Sequence, residues 1–161
     1  LVFTAHSIPL SMSETSPYVK QLTEACRLVS NALGSEPGAL VYQSRSGPPQ
    51  QPWLGPDICD HLKQMRADTD VEDVVIVPIG FISDHMEVQF DLDVEAAEVC
   101  QEIGLNMLRA KTVGTHPRFV RMIRELVDER MSNDNLRLAV GQLPATADQC
   151  PLDCCDWKPT R

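Results

Sequence analysis

A chain of 161 residues, 43% of them hydrophobic, is long enough for one globular domain with a full core. Its 23 acidic against 14 basic residues give a formal charge of −9, which argues against a nucleic-acid surface and favours a cationic ligand such as a metal ion. No stretch approaches the roughly 20 consecutive apolar residues of a membrane span, and the first residues carry no basic region followed by a long apolar one. A soluble, cytoplasmic protein with no transmembrane segment is therefore expected, and Leu1, opening straight into an apolar run without an initiating Met, suggests a piece of a longer protein.

The run LVFTAHS (Leu1 to Ser7) is rich in β-branched residues without alternation, as in a strand covered on both faces. Val19, Leu22, Cys26, Val29 and Leu33 then recur at helical spacing until Gly34 stops the pattern, and Ala39 to Gln43 follows as a second strand. A short helix is expected from Pro56 to Met65, with Ile58, Leu62 and Met65 on one face. VVIVPIG (Val74 to Gly80) reads as the third strand, Asp84 to Ile103 as a long helix and Asn106 to Ala110 as the fourth strand. Pro117 suits the first turn of a last helix whose buried stripe would be Phe119, Val120, Ile123, Leu126 and Val127, ending near Met131. The order βαβαβαβα implies an α/β fold, a parallel sheet with helices on both faces. The expected domain covers residues 1–132, and 133–161 form a polar tail.

No nucleotide-binding glycine loop follows any strand, so chemistry is sought beyond the strands' carboxyl ends. Two ends are loaded: His6 and Ser7 close the first strand, and Gly80 to Glu95 follows the third. In the long helix Glu87, Asp91 and Glu95 stand at i, i+4 and i+8, opposite the apolar stripe Val88, Leu92, Ala96, Val99 and Ile103. Such a ladder is either a solvated face or, with His6, a ligand set for a divalent first-row metal. His6 itself is open to the reading of a structural histidine, and Asp84 and His85 to that of helix caps. Cys26, Cys59 and Cys100 are expected to be buried small hydrophobes, whereas Cys150, Cys154 and Cys155 crowd the tail as metal or cluster ligands would.

TAHSIP, YQSRSGPPQQPWLGP and VPIGFISDHMEVQFDLD together resemble, in order, three blocks of the ferrochelatases, and the R-S-G-P-P form resembles the actinobacterial, coproporphyrin III-using branch. The resemblance covers about residues 1 to 132. It implies one half of a type II chelatase, built of two Rossmann-like halves, that inserts ferrous iron, a substrate, into a porphyrin. His6 and Glu87 would bind iron or accept pyrrole protons, and Asp91 and Glu95 would form an outer metal path. Trp53, Phe81 and Ser83 would line the porphyrin pocket, with Asp84 and His85 behind the ligands. The amino-terminal half of the same enzyme would supply the other wall of the cleft. The resemblance also implies that Cys150, Cys154 and Cys155 hold a [2Fe-2S] cluster whose fourth ligand lies outside this sequence. The rivals are a cobalt or nickel chelatase acting on a sirohydrochlorin-type ring and a non-enzymatic haem or metal carrier. The porphyrin-pocket block speaks against the first, and the absence of a CxxCH motif against the second.

Overall fold

The computed structural model describes all residues except 49, 133–136, 148, 151 and 153–161. Its strands are β1 (Val2–His6), β2 (Ala39–Gln43), β3 (Asp73–Val77) and β4 (Asn106–Arg109), all paired in parallel in the order β2-β1-β3-β4. Helices α1 (Leu10–Glu14), α2 (Tyr18–Leu33) and α3 (Ile58–Asp68) occupy the first two crossovers. The third is one continuous helix running through α4 (Met86–Val88), π-helical turns at Gln89–Ala96 and α5 (Ala97–Ile103). α6 (Pro117–Met131) follows β4.

β1 is central, and its Val2, Phe3, Thr4 and Ala5 are all buried, which explains why the run lacks polar alternation. Successive side chains leave opposite faces of a strand, and the core divides accordingly. Val2, Val41, Val74 and Ile76 pack with Ile58 and Leu62 of α3 and with Val88, Leu92, Ala96 and Cys100 of the long helix. On the other face Ala5 and Tyr42 pack with Leu22 of α2, supported by Tyr18 and Leu40. Helices thus cover both faces, as the strand–helix alternation implied.

The long helix carries a departure from the sequence reading. Its fully covered residues Val88, Leu92, Ala96 and Cys100 recur every fourth position. In a regular α-helix a four-residue step overshoots a full turn by about 40°, so such a stripe would wind away from the sheet. The wider π turns absorb that excess and keep the stripe on one side.

Other boundaries move for local reasons. α3 begins at Ile58 rather than Pro56, because the Asp57 carboxylate caps it by accepting from the Cys59 amide at 2.8 Å. β3 stops at Val77, since Pro78 has no amide to donate. Beyond it Gly80 turns back to donate its amide to Thr4 O at 3.1 Å. The short α1 was not anticipated. Cys26 and Cys100 are buried as expected, but Cys59, at the exposed start of α3, is half-buried.

The expected buried stripe of α6 is a correction. No residue of α6 is buried, and Val120, Ile123, Leu126 and Val127 remain 44–51% exposed. Amphipathic spacing fixes a face of a helix but not what covers it, and no element among the described residues buries this one.

Gly80 is where the β3 exit crosses β1 most closely: a Cβ there would stand 2.7 Å from Ala5 Cβ and 2.9 Å from Ala5 Cα. Both are packed backbone positions rather than flexible tips. Gly80→Ala is therefore expected to destabilise the fold by about 1–3 kcal/mol, as overpacking does. A chemical-denaturation midpoint equal to wild type would refute this contact.

Candidate functional site

The carboxyl ends of β1, β2 and β4 and the start of the long helix converge on one rim of the sheet. His6, the last residue of β1, is fixed by its backbone: its carbonyl accepts from Tyr18 Oη at 2.9 Å, and the next amide, of Ser7, donates to Gln43 O at 2.8 Å. Its Nδ1 lies 2.5 Å from Ser7 O. A carbonyl oxygen only accepts, so Nδ1 carries the proton and, in the neutral ring, Nε2 keeps its lone pair. That nitrogen faces Glu87 Oε1 at 3.4 Å, with 36% of the His6 and 45% of the Glu87 side chain exposed.

A gap of 3.4 Å is long for a hydrogen bond. Among the described residues no three His, Cys, Asp or Glu side chains close around a single point. His6 and Glu87 thus stand as a pair on the half-exposed rim.

Within the acidic row Glu87 and Glu95 are exposed, whereas Asp91 is partly covered. Asp91 Oδ2 accepts from Gln43 Nε2 at 3.1 Å and from Ser44 Oγ, both at the end of β2. Ser44 holds φ +61°, a left-handed conformation that costs a non-glycine residue on the order of 1 kcal/mol or more and recurs at functional positions. Glu95 acts on Cys59 near the start of α3, and with Asp57 and burial pushes that thiol up to about 11; burial is the largest cause. The three carboxylates thus pass in turn the ends of β1 and β2 and the start of α3. Cys26 is likewise pushed up to about 11, chiefly by burial, and Cys100 is raised by burial.

Of the remaining expected residues, Phe81 is half-buried against the core and meets the His85 ring edge-on at 5.6 Å. His85 caps α4, its Nδ1 accepting from the Val88 amide at 3.4 Å. Asp84 does not cap; it binds Arg109 Nη1 at 2.6 Å. Ser83 is exposed beside them. Trp53 is half-buried, its backbone joined to Pro9 by an isolated antiparallel bridge, with Gly47 so close that a Cβ there would overlap the indole. Its Nε1 is buried without a partner. Cys150 is exposed, whereas Cys154 and Cys155 lie outside the described residues. Gln43, Ser44 and Arg109 were missed, although all three end strands or follow them directly, the placement that singled out His6.

The ferrochelatase family model matches residues 1–131. The chain belongs to the ferrochelatase family. It is 54% identical over its whole length to a ferrochelatase of Rhodopirellula baltica, covering 46% of that protein. It is 45% identical over 96% of its length to the coproporphyrin III ferrochelatase of Streptomyces griseus subsp. griseus, again covering 46%. The chain thus spans about half the length of these family members. A crystal structure described as a CbiX protein of cobalamin (vitamin B12) biosynthesis from Marinobacter aquaeolei VT8 shares the fold, with TM-score 0.54 and 19% identity. The match covers 81% of this chain and 94% of that one. No helix among the described residues is long and apolar enough to cross a membrane.

If Asp91 is held as described, its loss leaves the fully buried Gln43 amide unpaired. Asp91→Ala is expected to cost about 1–3 kcal/mol of stability. A merely solvated ladder would instead gain stability from relief of like-charge repulsion. Thermal melts decide: an unchanged or raised midpoint refutes the anchored reading.

Proposed function

We propose that this chain is the metal-handling, carboxy-terminal half of a ferrochelatase that inserts ferrous iron into a porphyrin, coproporphyrin III by its likeness to the named actinobacterial relatives. The observation that carries the proposal is the His6–Glu87 pair: imidazole Nε2 and a carboxylate oxygen 3.4 Å apart on a half-open rim. Residues 1–132 would form the chelatase unit and 133–161 its appended tail. The amino-terminal half would close the porphyrin cleft from the other side.

Metallation requires iron to shed water and two pyrrole protons to leave the ring. His6 and Glu87 together supply a ligand for the ion and an acceptor for the protons. Asp91 and Glu95, one and two steps further along the helix, form an outer path along which hydrated iron or protons move. Asp91 is a fixed station on that path because two donors hold its Oδ2. Trp53, Phe81 and Ser83 would border the macrocycle, and Asp84 and His85 stand behind the ligands. Cytoplasmic placement accords with the acidic composition and the free thiols.

In the full-length enzyme, His6→Ala should abolish iron insertion without unfolding the protein. Glu87→Gln should lower kcat severely, since an amide neither accepts a proton nor balances the ion's charge, while Asp91→Asn and Glu95→Gln act more mildly. Wild-type turnover in a folded His6→Ala variant would sink the proposal. Running the assay with cobalt and nickel and with a sirohydrochlorin-type ring separates the proposed activity from its chelatase rival, and absence of all turnover would favour a carrier.

A [2Fe-2S] cluster is the proposed occupant of the tail cysteines, with a fourth ligand from outside this sequence. The fit rests on Cys150, exposed and free, whereas Cys26 and Cys100 are buried and Cys59 is half-buried in α3. Cys154→Ser in the full-length protein should remove the visible iron–sulfur absorption and lower stability. Unchanged iron and sulfide content would exclude Cys154 as a ligand.

A further inference from the structure

The helix that presents Glu87 is held from the flank opposite His6 by a residue with no assigned role. Arg109, the last residue of β4, is only 15% exposed in its side chain and turns its guanidinium toward this helix and its approach. Nε and Nη2 donate to the two oxygens of Asp93 at 2.6 and 2.7 Å, a bidentate fork, while Nη1 donates to Asp84 Oδ1 at 2.6 Å and to Ala110 O at 3.3 Å. Asp93 sits in the π-helical turns, whereas Asp84 precedes the His85 cap. In sequence the two aspartates bracket Glu87 and Asp91.

We infer that Arg109 is the positioning residue of the site: by gripping Asp84 and Asp93 together it fixes both the rotation and the advance of the helix that brings Glu87 to His6. A helix start anchored at one point can pivot, but one anchored at two cannot. The neighbouring loop is tied down in parallel, Gly114 donating its amide to Ile82 O at 2.8 Å and Thr112 to Asp84 Oδ1 at 3.4 Å. Of the contacts on this flank, only that of Arg109 reaches into the π turns. On the opposite flank Asp91 is tied to β2, so the helix is held between two strand ends. Without Arg109, two half-exposed carboxylates would face each other uncompensated and swing the helix start away from β1. Lysine cannot substitute, because a point charge lacks the fork that grips Asp93 in two places while reaching Asp84.

The inference rests on the chelatase reading for its catalytic consequence but has a readout independent of it. In the full-length protein, Arg109→Gln and Arg109→Lys should each lower kcat for iron insertion about tenfold or more, leaving KM for the porphyrin within about twofold. In a Glu87→Gln background Arg109→Gln should cost nothing further, because Arg109 acts through Glu87. The ring-nitrogen NMR shifts of His6, recorded without any substrate, should move in Arg109→Gln as the Glu87 contact is lost. They should not move further when Arg109→Gln is added to Glu87→Gln. Unchanged His6 shifts, full rescue by lysine, or losses that simply add overturn the positioning role. A wild-type protein that inserts no iron would defeat the chelatase reading instead, and the His6 shifts would still decide the role of Arg109.

Discussion

The buried stripe of the helix from Met86 to Ile103 is the constraint on which the site depends. Val88, Leu92, Ala96 and Cys100 lie against the sheet, and their every-fourth spacing is accommodated by π turns. Once that stripe is seated, the flanking carboxylates have no freedom of direction. Glu87 meets the end of β1 and Asp91 the end of β2, while Asp93 meets the end of β4. Packing in the core thereby sets the geometry at the rim, and a shift of the stripe by one residue would turn each carboxylate toward the wrong strand.

The electrostatics of the rim follow from this arrangement. Several carboxylates are brought to one edge of an acidic protein, and two of them are neutralised locally. Arg109 holds Asp84 and Asp93, which in turn raise its own pKa, the Asp93 hydrogen bonds being the largest cause. Asp91 is held by two neutral donors, Gln43 Nε2 and Ser44 Oγ. Glu87 meets a ring whose Nδ1 proton is already committed to Ser7 O. What remains uncompensated faces the side on which iron would arrive.

α6 supplies the counterpoint. Its apolar face is as regular as that of α2, yet α2 is covered by the sheet and α6 is not. The described part of the tail returns toward the body: Arg137 donates to Glu129 O at 2.8 Å and the Gln142 amide to Glu24 at 2.6 Å, leaving Leu138 and Val140 near the α6 stripe without burying it. The relatives are about twice the length of this chain, so its surface need not be the surface of the whole protein.

The sequence by itself determined the alternation of strands and helices and the covering of β1 on both faces, and it singled out His6 and the acidic row by their place at strand ends. These follow from periodicity and from position relative to strand ends, which are local properties. The period of four in the long helix was also written in the sequence, but its meaning was not legible, since α spacing and π turns diverge only when the stripe must stay on a flat partner. Tertiary structure alone decided that Asp84 pairs with Arg109 rather than capping a helix, that Ser44 and Gln43 hold Asp91, and that no described residue buries the α6 face. Each depends on which distant residues the crossovers bring together, and no spacing along the chain encodes that distance.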